Sequence, residues 1–385
     1  MAQALLARAG PGGGWLGFCG SRATMARPGV YFVRQAVRCV APLPTPASVE
    51  ADNAGGVRHR FVVGTCTLQH GNELQILEFS EETAEVACRQ VLPHEDEIWL
   101  LSPTPSGEQL LTYSSGRNNP ALRLWSMGDG QPEASLQLLS TLADDEAPFT
   151  TLKGALWDAH HEGRVVVADA EAIRVFQSSS NTEFKRTQTL HVGQRCNATC
   201  LDPHHPQQVS TVDDVHLKTW DLRQSRVAFT RENAHNFGAR DVDYNPNVPY
   251  QVVTAGEDAV LRFWDLRHLD KAKQELSGGH HHWTLRARHN HSHDQLLVSC
   301  GSDSAVCLWR AGSVASAPLG VAGSPDGGGG EAAPDGLVKR YEDHDDSCYS
   351  CCWSASDAWV FASVSYDGKV VINRVPDEEK YRILL

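Results

Sequence analysis

The chain has 385 residues, 41% hydrophobic and 21% charged, with 47 acidic against 34 basic side chains and a formal charge of −13. That balance excludes a nucleic-acid partner, whose phosphates need a basic stripe, and no apolar run reaches the roughly 20 residues that span a bilayer. Eleven cysteines without paired spacings read as reduced thiols in a cytoplasmic protein, not as a disulfide frame.

Taken in chain order, residues 1–28 carry arginine at 8, 22 and 27 and no acid. The composition is that of a disordered or targeting-like leader, with Met25 as an alternative start, and the segment stands outside the fold. Val30 to Val40 is β-rich and is expected to supply an outer strand that closes a ring. Ala41 to Gly56 is a loop by its Pro, Ala and Gly content. A first unit follows, with FVVGT (61–65), a turn at His70–Asn72 and LQILEF (74–79); Leu77 and Glu78 stand where later units carry Trp–Asp. A second spans about 94–127, with His94, IWLL (98–101) and ALRLW ending at Trp125. A third holds Trp157, VVVAD (165–169) and IRVF (173–176), with a turn read as one residue longer than the repeat consensus.

From there a fixed register takes over. His191, Ser210, Asp214 and Trp220 form one set, and His235, Thr254, Asp258 and Trp264 the next. His280, Ser299, Asp303 and Trp309 follow, and His344, Ser363 and Asp367 close the series with Asn373 in place of tryptophan. In every set the hydroxyl and the acid stand 19 and 23 residues after the histidine, and the fourth position 29 residues after it. Indole donates, hydroxyl relays, imidazole accepts at one nitrogen and donates from the other, and carboxylate accepts. Such a chain satisfies buried polar groups from strand to strand. This is the signature of WD repeats, whose period is about 40–45 residues. Positions 77, 125, 176, 220, 264, 309 and 373 mark seven units, so the fold is read as all-β, a seven-bladed WD-repeat β-propeller over residues 29–385. The low-complexity stretch 311–336 is read as a flexible loop between the third and fourth strands of the sixth blade.

No nucleophile elbow, phosphate loop or paired-carboxylate motif is present, so neither catalysis nor a cofactor is expected. Six histidines between His280 and His293, and CYSCC at 348–352, raise metal binding. Strand alternation sends neighbours to opposite faces and splits both clusters, so no metal is expected. Binding is the better reading. Phe237, Arg240, Glu257, Trp283, Asp345, Asp346 and Tyr366 flank the register histidines and acids at the blade tops. Aromatic residues and arginine there are the types that anchor protein interfaces.

RDVDYNPNVPY (240–250), HNHSHDQLLVSCGSDS (289–304), FASVSYDGKVVINRVP (361–376) and the final KYRILL (380–385) resemble the EARP- and GARP-complex-interacting protein family. The resemblance is dense in the last three blades and sparse in the first three. It implies a non-catalytic propeller that binds GARP and EARP tethering-complex subunits; the chain itself is read as a monomer. It also implies a role in bringing them to the trans-Golgi network and recycling endosomes, in retrograde transport, endocytic recycling and dense-core vesicle cargo sorting. A different function competes with it. WDLR occurs at Trp220–Arg223 and Trp264–Arg267, and a W-D-x-R box resembles the element by which WD proteins dock on a cullin ligase adaptor. Arg223 and Arg267 would be the docking residues of such a ubiquitin-ligase substrate receptor.

Overall fold

The computed structural model describes residues 27–45, 57–68, 71–115, 120–128, 135–143, 148–180, 183–193, 195–317 and 334–385. Residues 1–26, 46–56, His70 and 318–333 lie outside the described residues, and the stretch read as a loop from Ala41 begins instead as the end of the strand Val37–Leu43. Short alternating segments separated by turns fold here as antiparallel hairpins, and the chain builds seven four-stranded sheets. The innermost strands are Val37–Leu43, Leu100–Pro103, Leu152–Trp157, Cys196–Leu201, Ala239–Tyr244, Thr284–His289 and Cys348–Trp353, one for each of blades one to seven. Six blades are consecutive in sequence. The seventh takes its outer strand, Gly29–Phe32, from the start of the described chain, where it pairs antiparallel with Lys369–Arg374. First and last strands thus share one sheet, and opening the ring requires breaking that ladder.

The core is seven seams rather than one centre. Each seam packs the facing sides of two neighbouring sheets. Blade one meets blade seven through Phe61, Leu77 and Phe79 against Val360, Val364 and Ile372. Blades five and six meet through Phe263 and Val253 against Leu297 and a fully buried Trp309. Because strand side chains alternate, each sheet has two apolar faces to cover, and closure of the ring supplies a neighbour for both.

Both ends of the stretch 311–336 depart from the flexible-loop reading, and its middle, 318–333, lies outside the described residues. Gly312–Val314 forms a turn of 3₁₀ helix, and the backbone N–H and hydroxyl of Ser316 donate to the buried Asp294 carboxylate at 2.7 and 2.8 Å. Gly336 already opens the strand Gly336–Tyr341. The C-terminal residues form a helix, Asp377–Leu384, which strand patterning did not anticipate. Its Glu379 is buried and accepts from Arg310 Nε at 2.6 Å, tying the helix to the sixth blade.

Candidate functional site

The repeated register produces its hydrogen-bond relay in two blades as the spacing expects. Trp264 Nε1 donates to Thr254 Oγ1 at 2.9 Å; that hydroxyl meets His235 Nε2 at 2.8 Å, and His235 Nδ1 meets Asp258 at 2.9 Å. Trp309, Ser299, His280 and Asp303 repeat it at 2.7, 2.7 and 3.0 Å. Burial acts to raise both carboxyls. The hydrogen bonds from histidine outweigh it, joined in Asp258 by Arg262, and hold both well below the usual carboxylate range. In the seventh blade His344 Nε2 meets Ser363 at 2.8 Å, but Asp367 is reached through Ser365, whose hydroxyl stands 2.7 Å from His344 Nδ1. Asn373, in the indole's place, leaves its Nδ2 without a partner among the described residues.

The first set is a correction: His191, Ser210, Asp214 and Trp220 do not form a relay. His191 is exposed, and Asp214 is an exposed turn residue at φ 51°. Trp220 donates to Thr211 at 2.9 Å, not to Ser210, which bonds Thr219 at 2.6 Å and Tyr244 at 2.7 Å. The cause is the hairpin. In blade five the strands Gln251–Gly256 and Leu261–Asp265 are joined by four residues. In blade four Asp213 pairs directly with His216 across two. The shorter turn slides the acid out of reach of any histidine. Buried Asp213 instead takes Lys218 Nζ at 2.6 Å, and burial still raises its carboxyl above the ordinary value. Blade three likewise pairs Asp169 with Arg174 across Ala170–Glu171, but there burial is outweighed by hydrogen bonds from Arg174 and the turn backbone, which hold the carboxyl below its ordinary value. The blade-three turn is therefore shorter than the four-residue turns of blades five and six, not longer. An acid followed five residues later by Lys or Arg was the signal available in sequence for both. A further relay went unread: Trp125 donates to Thr112 at 2.8 Å, and Thr112 meets His94 at 3.1 Å, with the Asp96 carbonyl standing in for the acid at 2.7 Å.

These relays bolt the upper ends of the blades and leave the channel free to do something else. There the innermost strands share a second device. In blades one and three to seven, pairing with the next strand skips one residue near the strand start: Arg38, Lys153, Asn197, Arg240, Leu285 and Tyr349. A skipped residue of this kind re-aims its side chain. In blade two Trp99, just before its strand, occupies the same level. All seven side chains line one cavity of about 720 Å³ at the channel mouth.

Of the residues expected at the blade tops, Arg240, Glu257 and Trp283 come together. Arg240 pairs with Glu257 and lies 4.9 Å from the Trp283 ring centre. Arg240 and Trp283 line the mouth; Phe237, Glu257, Asp345, Asp346 and Tyr366 do not. Phe237 is 62% exposed. Asp345 takes Lys369 Nζ at 2.6 Å, Asp346 is exposed, and Tyr366 packs edge-on against Tyr349. The two WDLR boxes differ. Arg267 is tied to Asp265 by two bonds of 3.0 and 2.9 Å, and those bonds lead in drawing the Asp265 carboxyl down to about 2. Arg223 is exposed and makes no ion pair among the described residues. A shared docking use of both arginines therefore finds no support in the geometry.

One cluster among the described residues has ligand-like spacing for a metal: His59, Glu81 and Asp357, with donor atoms within 4.8 Å of one another. Both His59 nitrogens are already engaged, with Ser354 at 2.9 Å and Glu81 at 2.8 Å. The cluster acts as a hydrogen-bonded seam between blades one and seven. No helix among the described residues is long and apolar enough to cross a membrane.

A family model described as the EIPR1 β-propeller matches residues 25–309, and a WD domain, G-beta repeat model matches residues 336–372. The chain is 32% identical over 89% of its length to a Homo sapiens protein named EARP and GARP complex-interacting protein 1, covering 95% of it. It is 34% identical over 85% of its length to the EARP-interacting protein homolog of Danio rerio, covering 93% of that protein. It is 29% identical over 90% of its length to WD repeat-containing protein DWA2 of Arabidopsis thaliana, covering 95%.

Proposed function

The chain belongs to the EIPR1 β-propeller family of EARP and GARP complex-interacting proteins, and from that premise we propose that it is a non-catalytic scaffold for the EARP and GARP complexes. It recruits them to trans-Golgi and recycling-endosome membranes in retrograde transport and recycling, reaching the membrane through these partners. The observation that carries the reading is identity spread over 89% of the chain to a protein whose name states that interaction. The relays support it physically. Their histidines and acids are consumed in holding blades rigid, which suits a platform that presents loops in fixed positions. The contact face is the end of the ring that bears Phe237, Arg240, Trp283 and Tyr366, where exposed aromatic residues surround the channel mouth.

Affinity purification of the tagged full chain from cells, with mass spectrometry of bound proteins, tests the reading. EARP and GARP subunits are expected in the eluate, and their membrane-bound fraction is expected to fall when the chain is depleted. Their absence from the eluate, or unchanged membrane recruitment, refutes it. Recovery of a cullin adaptor without tether subunits would move the function to the ligase reading.

A further inference from the structure

The ring of re-aimed residues has a composition at odds with the rest of the chain. In a protein of charge −13, the seven positions hold three cations and no acid, and among the described residues no Asp or Glu lines the mouth. The cations Arg38, Lys153 and Arg240 stand on blades one, three and five, on alternate blades. Arg38 is gripped between the Trp99 and Tyr349 rings, 4.4 Å from each centre. That contact orients its guanidinium without neutralising it. Neither Arg38 nor Lys153 has a carboxylate partner among the described residues, whereas Arg240 has Glu257 and neighbouring Arg286 has Asp241 at 3.3 Å. Burial, followed by the charges of Arg195, Arg240 and Arg38, depresses the Lys153 ammonium below its ordinary value. Cations held together in a partly dry cavity lack the solvation or counter-charge that normally offsets burial. A bound anion supplies it, and the low-dielectric walls concentrate the field on the axis.

We propose that the channel mouth receives an extended acidic peptide segment of a partner protein, its carboxylates on Arg38 and Lys153, the two ring cations without a carboxylate partner among the described residues. The make-up of the ring favours a peptide over a compact polyphosphate. Between the cations stand Trp99, Asn197, Leu285 and Tyr349, whose apolar surfaces pack against apolar side chains interspersed with acids, a contact that a polyphosphate cannot make. The inference rests on the scaffold reading for its biological partner, but its chemistry can be tested alone.

The probe is a fluorescein-labelled peptide of alternating glutamate and leucine, followed by fluorescence anisotropy against the full chain. A lysine–leucine peptide serves as control, and inositol hexakisphosphate as competitor. Binding of the acidic peptide is expected, weakening as salt rises. Arg38→Met and Lys153→Met are each expected to weaken it about tenfold, the loss of one charged hydrogen bond. Arg223→Glu, at the opposite end of the ring, should leave it unchanged. Thermal melts verify that each variant is folded. If Arg38→Met unfolds because its aromatic grip is lost, Lys153→Met carries the test. No binding of the acidic peptide, binding indifferent to Lys153→Met, or binding of inositol hexakisphosphate alone overturns the proposal. The two readings separate in cells. Tether subunits captured equally by wild type and a folded Lys153→Met variant would sink the acidic-segment inference and leave the scaffold standing. Tethers captured by neither would sink the scaffold reading while the peptide assay still decides the mouth.

Discussion

Replacing Asp258 with alanine removes the acceptor on which the blade-five relay ends. Its oxygens take His235 Nδ1 at 2.9 Å, Arg262 Nη1 at 2.7 Å and the Asn236 backbone N–H at 3.1 Å. Its side chain is 5% exposed and that of His235 fully buried. Deleting one partner of a buried ion pair costs about 3–5 kcal/mol, against about 0–1 kcal/mol for a surface pair. Arg262 keeps Glu275 at 2.9 Å, but that carboxylate is mostly in solvent, so the lower end, about 3 kcal/mol, is expected. Asp258→Asn keeps one acceptor without the charge and should cost about 1–2 kcal/mol. The loss is local. Amide hydrogen exchange over residues 235–267 should rise before the ring as a whole unfolds. Because the folded-state carboxyl lies below its unfolded value, the wild-type advantage is full above the unfolded pKa of about 3.9 and vanishes as pH falls through the folded value. A destabilisation under about 1 kcal/mol at pH 7, or exchange in 235–267 equal to wild type, would refute the reasoning.

Three further outcomes follow from the same geometry. His280→Ala should cost about 1–3 kcal/mol through the stranded Asp303 and Ser299, whereas His191→Ala should stay within about 0.5 kcal/mol; paired urea melts compare them, and equal losses would restore the blade-four relay. Burial holds the His344 imidazole down to about 4 against the nearby Asp367 carboxylate. Its contribution to stability is therefore complete above the unfolded pKa of about 6.5 and is lost as pH falls from there toward the folded value, at up to about 1.4 kcal/mol per pH unit; His344→Gln should flatten the melting temperature across that window. Gly256→Ala would set a Cβ 2.3 Å from His235 Nδ1, forcing the buried ring off Asp258, and a loss of about 1–3 kcal/mol in chemical denaturation is expected; a neutral result would mean the ring has room to move.

Much of the architecture was legible because a repeated unit writes its register into sequence. The positions 77, 125, 176, 220, 264, 309 and 373 all fall on third strands, since their side chains must fill the same seam in every blade. Trp264 and Trp309 also marked complete relays, because hydroxyl, acid and indole are set by one strand–turn–strand of constant length. The same arithmetic misplaced Trp220. Ser210 lies ten residues before it, as Thr254 does before Trp264, but the two-residue turn after Asp213 hands the indole to Thr211. Spacing along the chain cannot distinguish adjacent hydroxyls when the turn length changes; strand pairing can.

By itself the sequence determined the number of blades, the strands that form them and the relay residues of blades five and six, because those depend on contacts within about forty residues of chain. Only the tertiary structure decided what meets at the axis. Arg38, Trp99, Lys153, Arg240 and Tyr349 sit in five separate blades, and no local pattern links them. Ring closure through Gly29–Phe32 and a one-residue skip in six of the innermost strands bring them to a single level. The blade depends on short-range periodicity, while the mouth depends on how seven blades are turned toward one another.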